Sequence, residues 1–400
     1  MNDCQYIRVG TQYFKIVSFP LLSGDLTERM IPWNYDTIRH DMGASFISSI
    51  PKYNGFCVTP SHNNYKRTIG DYLNRYQPIE HMLRKGSILY TEKFLRHLFE
   101  EQFELELDYL TILYKHPLER LPIKLLVSKE RETSKTTYLN WLKKIFGGNA
   151  TFNSNEDFRS SFNSHWTNML LILIDEVLLE RVEDSEKIKN LSTARTYKAE
   201  SKGIDKIECE FFAKFVLASN NEENGIVIQP GETRYWVRKI KTLPEKDPLF
   251  LDKLFHEIPF FLEFLSRREI KSPKVSRMWF SFDQIKTPAL FRIMNNFRGK
   301  LEVETLFAIR EIMDAANLDT FYFANKDLLK ILQKTNFNIE RVKISRLLQE
   351  TWGFQPSPNS LTYTTYGILP DGQIAEYNFV GRYYSIPRNW IDQKHDELMK

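Results

Sequence analysis

Three runs, IKLLVS (123–128), MLLILID (169–175) and AKFVLAS (213–219), are apolar almost without interruption. A strand with one wet face alternates apolar and polar residues, whereas a strand covered on both faces reads as a continuous apolar run. Stretches of helical periodicity separate the three. The spacing therefore predicts an α/β layer structure around a parallel sheet, with a further strand at YWVRKI (235–240).

On either side the pattern changes. Residues 1–80 mix short apolar and aromatic runs with turn residues, as in YFKIVSFPLLSGD, and predict an α+β accessory region of short strands. Residues 88–116 predict a helix, with Phe94 and Leu98, Leu95 and Phe99 at helical spacing, ended by Pro117 and Pro122. Residues 247–269 predict another, interrupted by Pro259. Helices are expected at 324–333 and 339–353, then two strands with Pro370-Asp371-Gly372 as the turn between them. Helix, turn, helix and hairpin in that order predict a winged helix-turn-helix. A small packing domain with no nucleic-acid contact fits the same order.

Composition narrows the class. The net charge of +4 lies wholly from Lys271 onward, a mild bias toward an anionic partner. Cys4, Cys57 and Cys209 are far apart and form no CxxC or Cys/His cluster, which argues against a disulfide framework or structural zinc. The longest apolar candidate for a membrane span ends in Asp175-Glu176, and MNDCQYIRVG lacks the basic-then-apolar pattern of a signal peptide. A cytoplasmic protein with no membrane partner is expected.

Four elements bear on one chemistry. After the first strand, SKERETSKTT places Lys135 and Thr136 at a helix N-terminus, where backbone N–H groups and the helix dipole favour phosphate. Lys135 suits β/γ-phosphate oxygens and Thr136 suits Mg²⁺, with Ser134 and Thr137 beside them. Lys129 and Ser134 stand where a P-loop carries glycine, and a capped helix start also fits the stretch. Second, MLLILIDEVLL ends a strand in Asp175, suited to the Mg²⁺ shell, and Glu176, suited to polarise water as general base. An ordinary acidic strand end reads the same way. Third, Asn220 ends the next apolar strand, where an amide can orient water, or where Ser219-Asn220-Asn221 merely turns the chain. Fourth, Arg234 in PGETRYWVRKI can stabilise transition-state charge on a neighbour's nucleotide, with Arg238 competing for the role.

In order and spacing, Lys135-Thr136, Asp175-Glu176, Asn220 and Arg234 resemble the motor of superfamily 3 helicases. The wider run from NEDFRSSFNSHW to GETRYWVRKI is similar to the primase-helicase proteins of phages and mobile elements, over roughly residues 115–270. The resemblance implies an AAA+-like P-loop NTPase core of three αβα layers, ATP hydrolysis with Mg²⁺, and a ring, usually a homo-hexamer, around single-stranded DNA. It also implies a hairpin projecting basic residues into the ring channel, at ARTYKAESKGIDKIECEFF. Lys202 is then the first choice for the DNA backbone, with Lys198 and Lys206 beside it. The expected organisation is an accessory region at 1–80, a helical collar at 81–118, the motor at 119–270 and a C-terminal helical and winged-helix-like domain at 271–400. IERVKISRLLQ is its expected reader helix. No primase module is evident, so a separate primase is an expected partner in a bacterial host cytoplasm. A non-hydrolysing, nucleotide-switched assembly factor and an origin-binding initiator are the alternatives.

Overall fold

The computed structural model describes residues 5–20, 26–130, 133–160, 163, 166–179, 181–201, 204–222, 225–229, 231–243, 247–334, 339–369 and 374–398. Five parallel strands form its central sheet. They are β1 (Ile123–Val127), β2 (Ala150–Phe152), β3 (Leu171–Ile174), β4 (Lys214–Ser219) and β5 (Tyr235–Lys239), lying side by side in the order β5-β1-β4-β3-β2. Every residue of β1, β3 and β4 is buried, Lys124 and Lys214 included, as expected for nearly continuous apolar runs. Sequence reading missed β2, a three-residue edge strand with no apolar run to mark it.

Helices cover both faces. α1 (Leu89–Phe99), α2 (Phe103–Lys115), α3 (Lys135–Phe146) and α5 (Phe250–Arg267) bury one face, meeting Leu126, Leu173, Val216 and Trp236 of the strands. α4 (Val182–Thr193) and the first turns of α6 (Pro288–Ala315) bury the other, against Leu125, Ile172, Phe215 and Val237. Pro259 does not interrupt α5, which runs through it; the Pro259 carbonyl accepts the Arg84 N–H at 3.2 Å.

The helix expected over 88–116 is two, joined by a tight turn at Glu100–Gln102 where Glu100 adopts φ 45°. Arg238 of β5 holds that break. Its guanidinium reaches Glu101 at 2.6 Å, Gln102 at 2.9 Å, Glu100 at 3.1 Å and the Leu98 carbonyl at 3.3 Å. Arg238 is therefore a structural residue and no rival to Arg234. No proline marks the break, so helical periodicity read straight across it.

These helices fall in the segment expected as a helical collar, 81–118, and they pack on the motor's core. Glu106 of α2 lies beneath β1, where Lys124 Nζ donates to it at 2.5 Å and the Tyr138 hydroxyl of α3 also donates. All three side chains are fully buried. Burial pushes Lys124 down to about 8 and raises Glu106. A segment whose carboxylate is buried under the central strand belongs to the motor's own core.

Strands Tyr6–Val9, Gln12–Pro20, Leu26–Trp33 and Lys52–Tyr53 form a four-stranded sheet with small cores of its own. The segment that follows, residues 54–80, meets the motor through hydrogen bonds and through Tyr76, which packs in the motor core. Asn149 exchanges two hydrogen bonds with the Gln77 backbone, at 2.9 and 2.7 Å. His62 bridges the Tyr76 hydroxyl at 2.6 Å and the Tyr114 carbonyl at 2.7 Å.

At the C-terminal end, Thr287 caps α6 by accepting the Leu290 N–H, with Pro288 at the first helical position. Leu290, Ile293 and Met294 pack in the motor core, while Leu306, Ile309 and Ile312 of the same helix pack in a C-terminal core. That domain holds helices Asn325–Lys334 and Arg341–Arg346, a hairpin of Leu361–Ile368 and Ile374–Gly381, and strand Tyr384–Pro387 paired with Thr320–Phe323. Helix, helix and hairpin occur in the expected order; the turn at Pro370-Asp371-Gly372 lies outside the described residues. The expected reader helix runs Arg341–Arg346 and continues as a π-helical turn, Leu347–Thr351; its Lys343 is half-buried near Glu186, Lys189 and Glu232 of the motor, while Arg341 and Arg346 are exposed. Among the described residues no helix is long and apolar enough to cross a membrane.

Candidate nucleotide-binding site

Ligands of open parallel sheets bind beyond the carboxyl ends of the strands, where chain connections diverge. Here the segments leaving β1, β3 and β4 enclose a cavity of about 490 Å³. Thr133, Ser134, Lys135, Thr136 and Thr137 line it from the first, Asp175 and Glu176 from the second, Ser219 and Asn220 from the third. Residues drawn from three distant stretches of sequence thus meet in one place.

Lys135 opens α3 and is buried, its Nζ donating to Thr133 Oγ1 at 2.8 Å. Burial lowers its pKa, while the carboxylates of Asp175, Glu222 and Glu176 pull the other way. Thr136 Oγ1 donates to Asp175 Oδ2 at 2.8 Å, and Asp175 Oδ1 accepts the Glu176 N–H at 3.1 Å. Glu176 is exposed, and Asn220 Nδ2 donates to its Oε1 at 3.3 Å.

The two missing glycines are not equivalent. Ser134 sits at φ 67°, ψ 16°, a left-handed conformation that L residues resist. Lys129 has no positive φ, so a side chain costs nothing there. Its backbone N–H instead donates to Glu222 Oε1 at 3.0 Å.

Sequence reading missed Glu222. This buried carboxylate joins the loop after β1 to Lys239 at the end of β5, at 2.9 Å, and to Arg292 of α6, at 3.5 Å. Burial alone would raise its pKa, but the Lys239 ammonium and the Lys129 N–H hold it below the usual carboxylate range. The available signal was a carboxylate two residues after Asn220, which sequence could not rank above its neighbour Glu223. Asn155 was also missed. It accepts the Leu178 N–H at 3.0 Å and donates to the Glu176 carbonyl at 3.3 Å, fixing the turn after β3. Glu176 needs that support, since it too has a positive φ, of 55°.

Arg234 is not brought to the cavity. It precedes β5, level with the start of β1, at the opposite end of the strands. Glu232 lies 3.4 Å from its guanidinium, and its buried Nε has no hydrogen-bond partner among the described residues. The expected hairpin is present as antiparallel strands Thr196–Ser201 and Ile204–Glu210. Lys198 is exposed on the first and Lys206 falls on the second, while Lys202 and Gly203 lie outside the described residues.

Residues 126–234 match a family described only as a family of unknown function (DUF5906). No curated protein matches the sequence. The chain shares the fold of the apo C-terminal region of NrS-1, with TM-score 0.57 and 14% identity over 96% of this chain and 95% of that one. An A-form apo structure of the same region gives 0.56 and 16% over 93% and 94%. The likeness takes in the N-terminal strands and the C-terminal domain as well as the sheet. Similarity to the JCV helicase (TM-score 0.31, 14% identity, 55% of this chain and 62% of that one) is too slight to bear on the fold.

Proposed function

We propose that this chain is an ATP-dependent DNA helicase of the superfamily 3 type, a ring-forming motor on single-stranded DNA in phage or mobile-element replication. The observation that carries the reading is the meeting of Lys135, Thr136, Asp175, Glu176 and Asn220 around one cavity at the carboxyl edge of the sheet. Lys135 binds β- and γ-phosphate oxygens in place of the carboxylates that now surround it. Glu176 accepts the proton of the attacking water, and Asn220, bonded to its carboxylate, orders the pair.

The donor set fits magnesium. One hydroxyl and one carboxylate, Thr136 and Asp175, stand side by side, and Mg²⁺ takes one or two such ligands with phosphate oxygens and water. Bound there, the ion would neutralise charge that develops on the phosphates.

Arg234 lies a strand's length from its own cavity, roughly 16 Å for five residues. An arginine so placed serves a neighbouring subunit's nucleotide, which is why the reading includes a ring. Exposed Lys198, with Lys202 and Lys206, would hold the DNA backbone.

A second reading, a nucleotide-switched assembly factor that binds ATP without turnover, is favoured by the strained Ser134 alone. Unwinding of a forked DNA duplex decides between them. ATP-dependent strand separation, abolished by Glu176→Gln or Arg234→Ala, supports the helicase. ATP-dependent ring closure without unwinding supports the switch.

A further inference from the structure

Five aromatic rings follow one another across the C-terminal domain. Tyr377 lies nearly parallel to Phe379, with ring centroids 6.1 Å apart and planes 8° from each other. Phe379 meets Tyr363 at 6.2 Å, Tyr363 meets Tyr383 at 5.1 Å, and Tyr383 meets Tyr322 at 5.6 Å. The end rings are open, Tyr377 at 41% and Tyr322 at 40% exposure. Tyr363 in the middle is buried, and its hydroxyl donates to Asp327 at 2.6 Å, which pins the row to the helix Asn325–Lys334.

Cations flank the rings. Lys326 Nζ stands 4.6 Å from the Phe379 centroid, and Lys330 is exposed one turn further along the same helix face. Neither lysine forms an ion pair among the described residues. Arg382 is exposed beside Tyr383, with its Nε on the Ser357 carbonyl at 2.8 Å. The nearest acid of the strand, Glu376, points to the other face of the hairpin, where it bonds Tyr366.

Unpaired cations beside open aromatic faces suit a polyanion that carries flat rings. An apolar protein partner would leave Lys326 and Lys330 uncompensated. A duplex hides its base faces, so the fit is to single-stranded nucleic acid, bases on the tyrosines and phosphates on the lysines. We infer that the open Tyr377 end of this row, with Lys326 and Lys330 beside it, is a single-strand contact separate from the motor's hairpin and from the helix Arg341–Arg346. The inference takes its polymer from the proposed function, but none of its residues.

The test uses the full chain without nucleotide, a labelled oligothymidine, and binding read by anisotropy across a salt series. Tyr377→Ala is expected to weaken binding about tenfold, and Tyr377→Phe to retain it, because the ring face and not the hydroxyl carries the contact. Replacing Lys326 and Lys330 together by Gln should flatten the log–log salt slope by about 1.4, two single-strand phosphate contacts. Basal ATP turnover should stay at the parent value in each. Parental affinity and slope in these variants would overturn the inference, as would an equal loss on duplex DNA of the same length. A parent that binds no single strand overturns it too. The motor reading stands or falls separately, on basal turnover measured in the same samples.

Discussion

Thr136 Oγ1 donates to Asp175 Oδ2 at 2.8 Å, joining the first turn of α3 to the end of β3 across the cavity. If this pair holds magnesium, Thr136→Ala should lower kcat by about a hundredfold, the scale of losing one preorganised polar group. The magnesium concentration for half-maximal rate should also rise. A packing role for the threonine would leave that concentration where it is, so a magnesium titration separates the two.

Ser134 tests how much the loop's conformation matters. Holding an L residue in the left-handed region costs roughly 1–2 kcal/mol, and glycine's extra chain entropy costs about 0.5–1 kcal/mol. Ser134→Gly should therefore leave the chain equally stable or up to ~1.5 kcal/mol more so, with turnover at or above the parent's. Ser134→Val should lower the melting temperature, because a branched side chain resists this conformation still more. A glycine variant that melts well below the parent would contradict the strain.

Glu222 positions the loop after β1 through the Lys129 N–H and neutralises Lys239 and Arg292. Glu222→Gln keeps an acceptor for the N–H but removes the charge; Glu222→Ala removes both. The expected result is a graded rise in KM for ATP, larger for alanine, with a smaller change in kcat. Equal losses in kcat alone would place Glu222 in the chemistry and not in positioning.

Much of this arrangement was legible before the structure. The three apolar runs became β1, β3 and β4 because strands buried on both faces are mostly apolar. Lys135, Thr136, Asp175, Glu176 and Asn220 were readable because each follows a strand, and parallel strands deliver their C-terminal residues to one edge. What failed to show has a common cause: it depends on partners distant in sequence. The break at Glu100 follows from Arg238, more than a hundred residues on, and no local signal announces it. The burial of Glu106 depends on Lys124 and Tyr138, which close over it. Within the expected reader helix, the packing of its domain leaves Lys343 half-buried beside α4.

His62 carries the pH dependence. Burial holds its pKa down to about 4 against an ordinary 6.5, with Lys214 adding to the effect and the Tyr114 carbonyl opposing it. The folded ring stays neutral where the unfolded one takes a proton. Its stabilising share is thus complete above about pH 6.5 and is lost as pH falls toward 4. That difference is worth about 3 kcal/mol across the window. Melting temperature should fall between pH 6.5 and 4.5 in the parent, and His62→Gln should flatten the fall. A slope unchanged by the substitution would assign the acid sensitivity elsewhere.

The central claim is that the cavity beyond β1, β3 and β4 turns over ATP for a DNA motor. Steady-state ATP hydrolysis, with and without single-stranded DNA, tests it in the parent, Lys135→Ala and Ser134→Gly. The account predicts turnover stimulated by DNA in the parent and in Ser134→Gly, and none in Lys135→Ala. Absence of both hydrolysis and nucleotide binding in the parent and in Ser134→Gly would contradict it.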